Sequence, residues 1–197
     1  PPRSTLFPYT TLFRSLYDRG APEGKASSAL TLETDGGVTI LTGVPDVGPG
    51  YYTVSQQIVC EVLGLPPDRV GVVFKDTDSL PFDPGTGGSK QTNTSAHAVH
   101  QSAREVRDRL IALAARELGC QSDEIKQEGG KLTEPNKRST TTQKMIELAV
   151  KESGGPVFYK NNFTPKDRLE DTGFAAKVGE VEDDRRRGGY KVRKVTR

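Results

Sequence analysis

Apolar and polar positions alternate twice near the start of the chain, in Ala29-Leu30-Thr31-Leu32-Glu33 and again in Val38-Thr39-Ile40-Leu41, with Asp35-Gly36-Gly37 between them. This period of two around a glycine turn predicts a tight hairpin. The second strand runs into a glycine loop, Gly43 to Gly50, and Thr53-Val54-Ser55-Gln56 reads as a capping box opening an apolar helix through Ile58, Val59, Val62 and Leu63, which Gly64 and Pro66-Pro67 close. Val70 to Phe74 is a short apolar run bounded by turn residues, the pattern of a buried strand beside the first pair. A loop from Asp76 to Thr94 follows, rich in Gly, Ser, Thr and Asp, and loops of that length usually carry function or disorder.

From Ser95 to Leu118 the apolar positions Val99, Ala103, Val106, Leu110, Leu113, Ala114 and Leu118 recur every three or four residues, predicting a long amphipathic helix ended by Gly119. Beyond it, Glu124–Gln127 and Lys131–Thr133 flank Gly129-Gly130 as a hairpin, and Thr141 to Glu152 reads as a further helix closed by Gly154-Gly155. Phe174 to Val181 and Tyr190 to Val195 alternate around Arg187-Gly188-Gly189 as a last hairpin, whose second strand runs to the end of the sequence, as if truncated. The class is α/β (α+β): a mixed sheet with packed amphipathic helices.

Composition narrows the function classes. The hydrophobic share of 33% is below the roughly 45% of ordinary globular chains, while Gly 21 and Pro 13 are high, so loops are numerous. Net charge is +2, and the local basic excess of Arg185, Arg186, Arg187, Lys191, Arg193, Lys194 and Arg197 reads as a solvated hairpin or tail, giving no nucleic-acid signal. No apolar run approaches a membrane span and no signal segment opens the chain, so a cytoplasmic protein is expected. Cys60 and Cys120, without Cys-x-x-Cys spacing, read as small core residues in helical patterns. His97 and His100 lack a nearby Cys or carboxylate partner and read as surface residues, not metal ligands. No Ser-His-Asp elbow points to hydrolysis.

Two loops could hold a ligand. In the first, Gly48 and Gly50 would let a ligand approach backbone at a helix start; it is not a Walker loop, and Thr53 stands where a dinucleotide fingerprint has its third glycine. In the second, Asp83 to Thr92, small residues expose amides, and Thr86, Ser89 and Thr92 add hydroxyls suited to an anionic or polar ligand. A structural turn and a flexible surface loop stand as the bland readings of the two.

The ordered string Val38-Thr39-Ile40-Leu41-Thr42-Gly43, Asp46-Val47-Gly48-Pro49-Gly50, Thr53, Gln57-Ile58-Val59, Leu63-Gly64, Val70, Asp76-Thr77-Asp78, Pro81 and Gly85-Thr86-Gly87-Gly88-Ser89 resembles the molybdopterin-binding large subunit of the xanthine dehydrogenase, aldehyde oxidase and carbon monoxide dehydrogenase family. The resemblance covers roughly Leu16 to Val195. It implies a molybdenum-molybdopterin cofactor in a dinucleotide form, with Gly48, Pro49, Gly50, Thr86, Gly88 and Ser89 as its contacts. It implies iron-sulfur and FAD centres on partner subunits or domains of one complex, and oxidative hydroxylation of an aldehyde, an N-heterocycle or a similar small molecule. Many relatives carry Gln where this chain has Pro49, which offers neither a side-chain donor nor a backbone N–H. The family's base is a glutamate further along than Val195, so no catalytic residue is assigned and Glu180 and Glu182 are not promoted.

Residues 1–15 repeat Thr-Leu-Phe without periodicity, resemble translated sequencing adapter, and are expected to be non-native; 16–197 is expected to be a molybdopterin-binding fragment, inactive in isolation. The alternatives are a non-catalytic nucleotide- or phosphate-binding module, or a truncated gene product without function.

Overall fold

The computed structural model describes residues 25–74, 78, 83, 85–87, 90–164, 178–184 and 188–196. They fall in two compact units, one within Asp18–Leu169 and one within Glu170–Arg197.

In the larger unit, strands β1 (Ala26–Leu32) and β2 (Val38–Thr42) form the expected hairpin. Its turn is fixed by the Asp35 carboxylate, which accepts from Gly37 N at 2.9 Å. Strand β3 (Val70–Phe74) runs parallel to β2, and the crossover that a parallel pair requires is helix α1 (Tyr51–Leu63). Strands alternate their side chains, so Ser28, Leu30 and Leu32 share a face. The Ser28 hydroxyl meets that of Ser102 at 2.7 Å, which puts this face against helix α2 (Ala96–Leu118). Leu30, Leu32, Val38 and Ile40 bury there with Val59 and Leu63 of α1 and Val99, Ala103, Val106 and Leu110 of α2.

A second, three-stranded sheet follows: β4 (Lys126–Glu128), β5 (Lys131–Thr133) and β6 (Ser139–Thr141), in that order. It leads into helix α3 (Thr142–Ser153), which Thr141 caps by accepting from Lys144 N at 3.2 Å. This sheet meets the end of α1 backbone to backbone. Gly64, the left-handed C-cap of α1, lies directly on Gly130, so that a Cβ on Gly130 would stand 2.2 Å from the Gly64 carbonyl oxygen. Beside that contact, Gln127 Nε2 donates to the Val62 carbonyl at 3.1 Å, satisfying an acceptor of the last helical turn.

Several expectations are corrected. Helix α1 begins at Tyr51, with Gly50 in the left-handed conformation as its N-cap and Val54 N donating to Gly50 O at 3.0 Å. Thr53 is therefore in the first turn, and no capping box forms: glycine turns the backbone into the helix earlier than a threonine cap would. Strand β3 is an edge strand with only Val70 buried and Phe74 51% exposed. The expected loop through Thr94 is helical from Gln91, because a π-helical turn (Gln91–Ser95) runs straight into α2. Cys120 lies past the Gly119 cap and outside the helix, and both cysteines are half-buried, packed against the core. Strand β7 (Val157–Phe163), antiparallel to β1 and the fourth strand of the first sheet, has no counterpart among the sequence expectations. Its polar centre, Lys160-Asn161-Asn162, masks the period; Asn162 accepts from Ser27 Oγ at 2.7 Å and Asn161 donates to Glu105 at 3.3 Å, which places both amides.

Glu134 ties the turn between β5 and β6 together. Its carboxylate accepts from Arg138 N at 3.1 Å and Arg138 Nε at 2.9 Å, and Arg138 reaches on to the Leu118 carbonyl at the end of α2. The Arg138 hydrogen bond holds the Glu134 carboxyl below the ordinary carboxylate range. A carboxyl depressed in the folded state stabilises above its unfolded pKa of about 4.3 and loses that contribution as pH falls through the lower folded value. Urea unfolding of the chain is expected to lose stability across that acid window, with Glu134→Gln less stable at neutral pH and flatter there; identical slopes for the two proteins would refute the assignment.

The second unit shows one hairpin, β8 (Val178–Asp184) with β9 (Gly189–Thr196), as expected; Phe174 to Lys177 lie outside the described residues. Glu180 pairs with Lys194 but Val181 with Val192, so Arg193 is an extra residue, a bulge. Val181, Tyr190, Val192 and Val195 consequently share one exposed face, while Glu182 on the other is ion-paired to Arg193.

Candidate cofactor-binding loops

The two loops singled out in the sequence come together at the C-terminal end of β2. In the first, Asp46 Oδ1 accepts from Gly48 N at 3.0 Å and from Gly50 N at 3.2 Å. The Asp-x-Gly device of the β1–β2 turn thus recurs here, and again in the second loop, where Asp83 Oδ1 accepts from Gly85 N at 2.8 Å. The other Asp83 oxygen accepts from Ser95 Oγ at 3.2 Å, tying the loop to the π turn.

Gln91 connects the loops. Its side-chain nitrogen donates to the Pro45 carbonyl at 3.0 Å and to Thr86 Oγ1 at 3.1 Å, and the residue is only 7% exposed. The sequence reading missed Gln91, because a glutamine in a polar loop carries no periodic or motif signal; Asp46 and Asp83 were findable from the repeated Asp-x-Gly spacing. Pro49 and Thr86 are exposed. Gly48 and Gly50 have positive φ of 112° and 80°, and a Cβ on either, or on Gly85 or Gly87, would meet no atom within 4 Å. The loops are therefore open on the side away from the core. Gly88 and Ser89 lie outside the described residues.

Beneath the first loop Tyr51 is buried. Burial raises its phenol's pKa, and the hydroxyls of Thr42 and Ser55 beside it lower it without closing a hydrogen bond of normal geometry. His97 is exposed and stacks on Phe163, ring centres 5.1 Å apart. His100 is half-buried, and desolvation together with Arg104 depresses its pKa. No group of three or more His, Cys, Asp or Glu that could hold a metal ion occurs among the described residues. Nor is any helix among them long and apolar enough to cross a membrane.

This arrangement, a mixed sheet with a crossover helix, is shared with solved dehydrogenases and oxidoreductases. It superposes on carbon monoxide dehydrogenase from Oligotropha carboxidovorans with a TM-score of 0.70 at 22% identity, over 86% of this chain and 22% of that one. Quinoline 2-oxidoreductase from Pseudomonas putida 86 gives 0.70 at 21% identity, over 87% and 22%. The chain belongs to the molybdopterin cofactor-binding domain family, whose model matches residues 6–197. Among curated relatives, a xanthine dehydrogenase molybdenum-binding subunit of Escherichia coli O157:H7 is 36% identical over 91 residues, 46% of this chain and 12% of that protein. An aldehyde oxidoreductase molybdenum-binding subunit of Escherichia coli K12 is 33% identical over 116 residues, 59% of this chain and 15% of that protein. The chain thus spans less than a sixth of the length of these two relatives.

Proposed function

We propose that this chain forms part of the cofactor cradle in the large subunit of a molybdenum hydroxylase, and that Gly48, Pro49, Gly50, Thr86, Gly88 and Ser89 contact the molybdopterin. The observation that carries the reading is the pairing of two loops, open at four glycines, by the single buried amide of Gln91. The donor set suits such a group: a threonine hydroxyl and glycine backbone for its phosphate end, and the Asp46 carboxylate for donors on a heterocycle. When bound, the cofactor supplies the redox chemistry of hydroxylation, and the protein supplies position and electrostatics. Iron-sulfur and flavin partners that carry electrons away, and an aldehyde or N-heterocycle as substrate, belong to the same proposal.

The test is metal and pterin analysis of a complete subunit containing this chain, co-expressed with iron-sulfur and flavin partners. Stoichiometric molybdenum and pterin are expected, with both lost in a Gly50→Val, Ser89→Phe double variant that stays folded. A folded complete subunit holding neither would overturn the reading.

A further inference from the structure

We propose that Thr42, Tyr51 and Ser55 hold one buried water molecule, and that this water clasps together the two ends of the first loop. Thr42 is the last residue of β2 and Tyr51 the first of α1, so the chain enters and leaves the loop Gly43 to Gly50 between these two side chains. Ser55 follows Tyr51 by one helical turn and lies on the same face of α1. All three are closed off from solvent: Thr42 and Ser55 are fully buried and Tyr51 is 2% exposed. The hydroxyls of Thr42 and Ser55 lie beside the Tyr51 phenol. Yet among the described residues neither Tyr51 Oη nor Ser55 Oγ closes a hydrogen bond. Thr42 Oγ1 accepts from Val44 N at 3.1 Å, which occupies a lone pair and leaves the threonine's own proton to donate.

Buried hydroxyls without partners are costly, and a convergent set of them is the setting of an internal water, which typically makes about three hydrogen bonds. Water fits this inventory because it both accepts and donates. It takes the protons of Thr42 and Tyr51 on its two lone pairs and gives one of its own to Ser55 Oγ. Burial holds the phenol in its protonated form, so that donor persists through the neutral range. The contacts of Asp46 and Gln91 shape the rim of the loop, whereas the water joins strand to helix at its neck. The site is made of this chain's own side chains and stands independently of the cofactor reading.

Two measurements test the site. A crystal structure of a complete subunit containing this chain, at a resolution that shows ordered waters, is expected to place a single water within about 3 Å of Thr42 Oγ1, Tyr51 Oη and Ser55 Oγ. Hydroxyls bonded directly to one another, with no water among them, would overturn the proposal. Amide hydrogen exchange of the isotope-labelled 197-residue chain reads the clasp. In Tyr51→Phe, exchange is expected to speed roughly tenfold at Val44, whose amide rests on Thr42, and at Val54, which bonds back to Gly50 O. Ile40, fully buried earlier in β2, should be unchanged. Ser55→Ala removes one oxygen from the same site and should have the same effect. The two substitutions together should do no more than either alone, because the water leaves with its first lost partner. Exchange that is unchanged or slower in both single variants overturns the proposal, since removing a hydroxyl that truly lacks a partner does not destabilise. Additive effects overturn it too, as does an equal rise at Ile40, which marks a general loss of stability in place of a loosened neck.

Discussion

Gly130→Ala is expected to destabilise the larger unit by about 3 kcal/mol or more. Two effects add. Gly130 has φ of 79°, and a non-glycine residue in that region costs roughly 1–2 kcal/mol. The new Cβ would also stand 2.2 Å from the Gly64 carbonyl oxygen, a backbone atom held by its own helix cap, and overpacking of this kind costs about 1–3 kcal/mol. Gly129→Ala is the control: its φ is 51°, but its Cβ would meet nothing within 4 Å, so only the first effect applies. Urea unfolding should show the midpoint falling much further for Gly130→Ala than for Gly129→Ala at similar m. Equal losses would mean that the Gly64–Gly130 contact does not hold in solution.

Leu30→Ala is the second large effect, with an expected loss of about 2–5 kcal/mol by the usual range for a buried leucine. Leu30 is fully buried on β1, paired with Ile40 of β2 and Tyr159 of β7, and it faces α2. Its loss opens a cavity where both helices meet the sheet. Phe158, next to Val157 on β7, is 54% exposed, so Phe158→Ala should cost less than half as much. A larger loss at Phe158 than at Leu30 would reverse the assignment of inner and outer sheet faces.

Those inner and outer faces were largely legible in the sequence, because Leu30, Leu32, Val38 and Ile40 alternate cleanly and Val99 to Leu118 keep helical spacing. Strand β7 was not, since its pairing is carried by Asn161 and Asn162, residues poor in strand preference whose amides are satisfied only once β1 and α2 are in place. The start of α1 was misplaced for a related reason. Capping logic looks for a hydroxyl, whereas here the turn is made by Gly50 and the nearby amides are satisfied by Asp46, four residues upstream. Both loops of the candidate site were visible as glycine- and hydroxyl-rich segments. Their juxtaposition was not, because it depends on Gln91, whose amide becomes informative only through the π turn that carries it.

The extra residue in the β8–β9 ribbon bears on chain length. Because Arg193 is bulged out between the Glu180–Lys194 and Val181–Val192 pairs, its deletion would join two stretches already in register and leave Val181, Tyr190, Val192 and Val195 on the face they now share. Deleting Val192 instead would close the same gap with an arginine on that face. Position 193 is thus a point at which homologous ribbons can differ by one residue without changing which side of the ribbon is greasy, and sequence alignments of this segment should be allowed a gap there and not one residue earlier.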